Sequence, residues 1–69
     1  MGRININSSN LLSVGYNEGE QVLEIEFRDG SIYQYSGVST ETYEGLMSAV
    51  SHGKYFDQNI KDIYPYSKI

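Results

Sequence analysis

The chain changes its hydrophobic periodicity near its middle. Up to residue 35, apolar and polar residues largely alternate, whereas beyond residue 39 apolar residues recur at intervals of three and four. An alternation of two is typical of strands that bury one face, and the longer interval is typical of amphipathic helices. The pattern therefore predicts an antiparallel sheet followed by helices, which is an α+β arrangement.

Three strands are predicted in the first half of the chain. The alternation marks residues 11–16 and 22–28, and a third strand, 31–35, follows the Asp29-Gly30 pair. Asp-Gly is typical of a two-residue hairpin turn, because both of its residues tolerate positive φ. Residues 3–6 are expected to add an edge strand. The result is a three- to four-stranded meander.

A two-residue turn also predicts the pairing of the hairpin. Glu24 would lie opposite Tyr35, and Glu26 opposite Tyr33. Residues that lie opposite each other share a sheet face, so these carboxylates and tyrosines are expected on one face. The reverse face is predicted to be apolar, with Leu12, Val14, Leu23, Ile25, Phe27 and Ile32.

One amphipathic helix is predicted after the sheet. Ser39 or Thr40 is a suitable N-cap, and an apolar stripe follows at Tyr43, Leu46, Met47 and Val50. Gly45 lowers the helix propensity within this stripe, so we expect close packing there to compensate. Gly53 is expected to stop or kink the helix.

The C-terminal third is predicted to hold a short second helix and an extended tail. Residues 54–60 fit the helix, and residues 62–69 surround Pro65, which favours extended backbone in the residue before it. We expect the aromatic tail to close the other side of the sheet. Residues 1–69 are thus interpreted as a single domain.

Composition narrows the chemistry that this chain can carry. Its 69 residues include no cysteine and one histidine, and their net charge is −4. These residues offer no thiolate and no recognised metal-ligand spacing, and the isolated glycines form no phosphate loop. His52 is interpreted as a capping or surface histidine. We therefore expect no cofactor and no enzymatic activity. With apolar runs too short for a membrane span, we expect a cytoplasmic protein.

A set of short motifs points to a known family. In chain order they are Ser8-Ser9-Asn10, Val14-Gly15-Tyr16, Tyr33-Gln34-Tyr35, Gly53-Lys54-Tyr55-Phe56, Asn59-Ile60 and Tyr64-Pro65-Tyr66. Their order and spacing over residues 8–69 resemble the KTSC domain. That domain is named after the C-terminal extension of some lysyl-tRNA synthetases, and it also occurs as free-standing proteins in bacteria and phages. The resemblance implies no established activity, and it suggests an association with RNA.

Two aromatic groups are candidates for binding. Tyr33 and Tyr35 could stack bases, but the predicted pairing sets them beside Glu24 and Glu26, which would repel phosphates. The second group combines lysines and tyrosines of the C-terminal third: Lys54, Tyr55, Lys61, Tyr64, Tyr66 and Lys68. The net charge is +1 from residue 52 onward and −5 before it, so the tail is the better candidate for RNA.

Other interpretations remain open. The tail could pack over Tyr33 and Tyr35, which would make them structural. Glu24 and Glu26 could instead form an acidic face for a basic protein. We therefore expect a non-catalytic binding module associated with RNA or translation. The alternative is a phage or mobile-element accessory protein that inhibits a host nucleic-acid-handling protein. The expected partner is a protein or RNA, with no membrane or small-molecule substrate, and the chain is expected to be a monomer or weak homodimer.

Overall fold

Five antiparallel strands and two helices make up the fold. The computed structural model describes residues 2–69 and confirms the α+β class. In chain order the elements are β1 (Arg3–Asn5), β2 (Leu11–Asn17), β3 (Val22–Phe27), β4 (Ile32–Tyr35), α1 (Thr40–Ser48), α2 (His52–Asn59) and β5 (Tyr66–Lys68). The strands are ordered β1-β2-β3-β4-β5. The sheet exceeds the predicted four strands because the tail adds one beside β4.

The core lies between the sheet and the two helices. Its buried side chains are Leu11, Val14, Leu23, Ile25, Tyr35, Val38, Leu46, Phe56 and Ile60. Tyr43 and Met47 of the predicted stripe pack against this core, but Val50 is fully exposed. The prediction for Val50 was wrong because α1 ends at Ser48, before the last turn of the stripe.

A bulge in β2 changes which leucine enters the core. Leu11 pairs with Phe27 and Ser13 with Glu26, so Leu12 is an extra residue on its strand. Such an insertion reverses the alternation on one side of it. Leu11 is consequently buried with Val14, whereas Leu12 is only partly buried, and the predicted place of Leu12 in the apolar face was wrong.

The hairpin between β3 and β4 has a three-residue loop rather than the predicted two-residue turn. The N–H of Phe27 donates to the carbonyl of Ser31 over 2.8 Å, and the N–H of Gly30 donates to the carbonyl of Phe27 over 2.9 Å. Gly30 alone in this loop has a positive φ, of 93°. A three-residue loop closed by a glycine is the next most common hairpin connection, and it needs only this one left-handed residue.

The longer loop shifts the pairing of β4 by one residue. Tyr33 lies opposite Ile25, and Tyr35 lies opposite Leu23. A one-residue shift moves every side chain of a strand to the other face. Both tyrosines therefore lie on the helix-covered face, and Glu24 lies on the reverse side. The predicted face shared by these carboxylates and tyrosines was wrong.

The N-cap of α1 was correctly predicted, whereas the role of Gly53 was not. The Oγ of Ser39 accepts a hydrogen bond from the N–H of Thr42 over 3.1 Å. Ser51 caps α2 in the same way, which places Gly53 inside the first turn of α2. The Nδ1–H of His52 donates to the carbonyl of Leu46 over 2.7 Å, so this histidine caps the end of α1. Neither helix within residues 2–69 has the length and apolarity needed to cross a membrane.

Helix α1 lies close to α2 at Gly45. A Cβ atom at this position would lie 2.7 Å from Cζ and 3.0 Å from Cε2 of Tyr55. These distances are shorter than ordinary van der Waals contact. The ring of Tyr55 therefore occupies space that any larger residue at position 45 would need, which confirms the predicted close packing.

Candidate functional site: an aromatic cleft

A cleft of about 490 Å³ opens beside α2, on the helix-covered side of the sheet. Five aromatic side chains line it, and together they define the aromatic cleft: Phe27, Tyr33, Tyr35, Phe56 and Tyr66. Three strands and one helix contribute these rings. The hairpin register brings in Tyr33 and Tyr35, and the pairing of β5 with β4 brings in Tyr66.

The three tyrosines of the cleft differ in depth. Tyr35 is 4% exposed, Tyr33 is half-buried and Tyr66 is 55% exposed. The ring centroid of Tyr66 lies 5.6 Å from those of both Tyr33 and Tyr35. Phe56 meets Tyr35 edge to face at 5.5 Å, which ties the floor of the cleft to α2. Tyr35 thus belongs to the core, while Tyr66 offers ring surface to a ligand.

The hydroxyl of Tyr35 stays neutral over the physiological range. Burial raises its pKa to about 12, and the nearby hydroxyls of Tyr33 and Tyr66 and the carboxylate of Asp62 add to the effect. Each of these neighbours disfavours a further negative charge. The floor of the cleft is therefore an uncharged aromatic surface.

The rim of the cleft carries charges of both signs. Arg28 and Lys61 line it on the basic side, and Asp29, Asp57 and Asp62 on the acidic side. Lys68 lies opposite Tyr33 on β5, so it shares the cleft side of the sheet. The lining thus holds two basic and three acidic side chains over an apolar floor, which differs from a uniformly basic groove.

Arg28 and Asp29 are both fixed by local hydrogen bonds. The Nε–H of Arg28 donates to the carbonyl of Ser8 over 2.6 Å, and its backbone N–H donates to the carbonyl of Asn10 over 3.0 Å. The Oδ1 of Asp29 accepts from the N–H and the hydroxyl of Ser31 over 2.9 and 2.6 Å. These bonds to Ser31 lower the pKa of Asp29, and the charge of Lys68 adds to that effect. Asp29 is therefore an ionised carboxylate held by its own turn.

The structure joins parts of the two candidate groups predicted from the sequence. Tyr33, Tyr35, Lys61 and Tyr66 all line the aromatic cleft, and Lys68 lies on its side of the sheet. Packing of the tail over Tyr33 and Tyr35 was one of the interpretations left open by the sequence, but on the face of the sheet away from the helix. The observed register places both tyrosines on the helix-covered face instead.

Three of the candidate residues lie elsewhere. Lys54 is exposed on α2 and does not line the cleft. Tyr55 packs across Gly45, and the hydroxyl of Tyr64 lies 3.3 Å from the Oγ1 of Thr42. The last two are half-buried and contact the core, so their environment is that of packing residues.

Sequence reasoning assigned neither the two phenylalanines of the cleft nor Arg28 to a binding site. Phe27 was expected in the apolar face, Phe56 only within the second helix, and Arg28 only at a strand end. A three-residue loop at residues 28–30 would have placed Tyr33 on the face of Phe27, next to the loop that holds Arg28, but the Asp-Gly pair is compatible with either loop length. The position of Arg28 therefore depends on a register that the local sequence leaves open.

The carboxylates of Glu24 and Glu26 are bonded within the sheet. Glu24 is 7% exposed; its Oε1 accepts from the Nε2 of Gln34 over 2.9 Å, and it forms an ion pair with Arg3. The bond from Gln34 and the contact with Arg3 lower the pKa of Glu24. Glu26 accepts from the hydroxyl of Ser13 over 2.8 Å. An acidic contact face at these residues stays a prediction, made less favourable by this network.

Comparison with known proteins identifies the family. The family model of the KTSC domain matches residues 7–64. The crystal structure of a KTSC domain protein from Yersinia pestis is 43% identical, with a TM-score of 0.95 over 99% of this chain and 96% of that chain. An uncharacterised protein of Stutzerimonas stutzeri is 41% identical over 61 residues, which cover 88% of this chain and 86% of that protein.

The same similarity extends to part of a larger enzyme. A lysine–tRNA ligase of Nostoc sp. is 39% identical over 54 residues, which cover 78% of this chain. These residues make up only 10% of the ligase. The similarity thus concerns one segment of the ligase and extends the resemblance seen in the sequence motifs. The family model and the matched structure together show that this chain belongs to the KTSC domain family.

Proposed function

We propose that this protein is a non-catalytic RNA-binding module whose aromatic cleft holds one unpaired nucleotide. The observation that carries the proposal is the grouping of Tyr33, Tyr35 and Tyr66 around one cleft with basic side chains at its rim. Unpaired bases stack on such rings, and each stacked base contributes about 1–3 kcal/mol. A volume of about 490 Å³ is within the range of small-ligand sites.

The charge of the cleft supports a single nucleotide rather than a long strand. Proteins that follow a nucleic-acid backbone use a positively charged groove. The cleft is lined by two basic and three acidic side chains, with Lys68 on the same side of the sheet, and the whole chain carries −4. Stacking must therefore supply most of the affinity, and only one or two phosphates can be contacted favourably.

The relatives support RNA as the ligand class. The name lysine–tRNA ligase states that the enzyme acts on tRNA, and a segment of the Nostoc sp. enzyme is similar to this chain. The KTSC family is not known for catalysis. A binding module with a role in translation, acting in the cytoplasm as a monomer or weak dimer, is consistent with these similarities.

A titration with a short RNA tests the proposal at Tyr66. A single-stranded RNA tetranucleotide is added to the protein, and its Kd is measured by NMR. Tyr66→Ala is expected to weaken binding by about 5- to 150-fold, which corresponds to the loss of one stacked base. Tyr66 is 55% exposed, so the variant is expected to fold.

Ile63 supplies the matched control for this titration. It is 59% exposed, precedes β5 in the same segment and does not line the cleft. Ile63→Ala should leave the Kd unchanged. Equal affinities for Tyr66→Ala and the wild type, or no binding of RNA by the wild type, would refute the proposal.

Salt dependence separates stacking from backbone binding. With one or two phosphates contacted, raising the salt from about 50 to 200 mM should weaken binding by about 3- to 7-fold. A loss of about a thousandfold would indicate many phosphate contacts, and that result would contradict a one-nucleotide site.

The alternative function depended on a free acidic face. It was predicted that Glu24 and Glu26 contact a basic host protein, as an inhibitor from a phage or mobile element would. Their bonds to Gln34, Arg3 and Ser13 use the carboxylate oxygens internally. RNA binding in the cleft is therefore the function that we favour.

A further inference from the structure

We propose that Arg28 binds the phosphate group of the nucleotide held in the aromatic cleft, an assignment that rests on the proposed RNA-binding function. Arg28 lies at the loop between β3 and β4, and it lines the same cleft as Phe27 and Tyr33. A nucleotide whose base stacks on the tyrosine rings would carry its phosphate to the charged rim. The question is which basic residue of the rim meets that phosphate.

The anchoring of Arg28 favours it over the lysines of the rim. Its Nε–H is bound to the carbonyl of Ser8 over 2.6 Å, and its backbone N–H to the carbonyl of Asn10. A guanidinium group has five N–H donors in a planar fork, so four remain beyond the bond to Ser8. An arginine positioned in this way can bind two oxygens of one phosphate, whereas a lysine offers only a mobile point charge.

The acidic neighbours do not occupy the guanidinium. Among residues 2–69, the salt bridges all involve Arg3, on the reverse face of the sheet. The adjacent carboxylate, Asp29, is bound through Oδ1 to Ser31. Lys68 is close enough to lower the pKa of Asp29, so its charge partly offsets the repulsion between Asp29 and a bound phosphate.

Two ligands that differ only in a phosphate test the assignment. The Kd values of adenosine and adenosine 5′-monophosphate are measured by NMR titration, and their ratio reports the contribution of the phosphate. The wild type is expected to bind the monophosphate at least about tenfold more tightly, as a hydrogen-bonded charge pair would give. Arg28→Gln should reduce the ratio to about one and leave the Kd of adenosine unchanged.

Three further variants show whether the effect belongs to Arg28. Arg28→Lys keeps the charge without the fork, and it should give an intermediate ratio. Lys54→Ala, on the exposed side of α2 and outside the cleft, should keep the ratio of the wild type, whereas Lys61→Ala, at the rim, should lower it less than Arg28→Gln does. If Lys61→Ala reduces the ratio of the two Kd values to about one while Arg28→Gln leaves it unchanged, the assignment is overturned.

The outcomes distinguish this inference from the function on which it rests. If adenosine binds in the cleft but the monophosphate binds no more tightly, the assignment of Arg28 fails and the stacking site stands. If neither ligand perturbs the resonances of Tyr33 and Tyr66, the RNA-binding function fails as well. A purely structural role for Arg28 would change the stability of Arg28→Gln without changing the ratio, and that result would also refute the assignment.

Discussion

Replacing Gly45 by alanine should destabilise the protein, although alanine is the better helix former. In an open helix this substitution stabilises by about 1 kcal/mol. Here the added methyl group would lie 2.7 Å from Cζ of Tyr55, so the ring or the helix must shift to admit it. Overpacking of this kind costs about 1–3 kcal/mol. We expect a net loss of about 1 kcal/mol, since the two effects oppose each other.

A second substitution reverses the expected sign. In a Tyr55→Ala background the ring is absent, so Gly45→Ala should show only its helix propensity and stabilise by up to about 1 kcal/mol. The difference between the two backgrounds is the coupling energy, which we expect to be about 2 kcal/mol. Urea denaturation followed by far-UV circular dichroism gives the free energy of unfolding of the wild type, the two single variants and the double variant. The same effect of Gly45→Ala in both backgrounds would refute the proposed packing of Tyr55 across α1.

Three other predictions concern stability. Folding raises the pKa of Tyr35 from 10.0 to about 12, so the unfolded chain loses this proton at a lower pH than the folded chain. The free energy of unfolding should therefore fall as the pH rises from 10.0 toward 12. Tyr35→Phe should remove that part of the decline when stability is measured by urea titration at each pH. The lowered pKa of Glu24 stabilises the fold above pH 4.5, and this contribution is lost as the pH falls further. Glu24→Gln should therefore reduce the loss of stability with falling pH in this acidic range. Gly30→Ala should lower the free energy of unfolding by about 1–2 kcal/mol, because φ of Gly30 is 93° and alanine disfavours positive φ. Gly19→Ala is the control, since Gly19 has no positive φ, and thermal denaturation should show a smaller loss of stability for it.

Local signals in the sequence predicted most of the elements correctly. The N-cap at Ser39, the second helix and the packing at Gly45 each depend on residues close together in the chain. The KTSC resemblance, which the family model and the matched structure confirm, likewise came from short motifs in order. Elements that are specified by neighbouring residues can be predicted from the sequence.

The candidate site was harder to predict because it depends on one residue of register. Asp29-Gly30 fits both a two-residue and a three-residue loop, and only the second places Tyr33 and Tyr35 on the helix-covered face. Glu24 lies on the reverse face as predicted, so the tyrosines were the residues misplaced, and their supposed proximity to Glu24 was the argument against RNA binding by the sheet. In the observed register Tyr35 packs against Phe56, and that contact joins distant parts of the chain.

The tail contributes the remaining parts of the site through long-range pairing. Tyr66 joins the cleft, and Lys68 lies on the same side of the sheet, because β5 pairs with β4, with Tyr66 opposite Tyr35 and Lys68 opposite Tyr33. An extended tail was expected, but nothing in residues 62–69 specifies which strand edge they join. The bulge at Leu12 is a similar case, since the alternating pattern alone does not reveal an inserted residue.

The most direct test of the central claim is a map of amide and tyrosine-ring chemical shifts during titration with an RNA tetranucleotide. An aromatic cleft that holds a nucleotide predicts shifts at Tyr33, Tyr66 and Arg28, which line it, and unchanged resonances at Glu24 and Gln34 on the reverse face. Shifts confined to that reverse face, or no shift at any RNA concentration, would contradict the account.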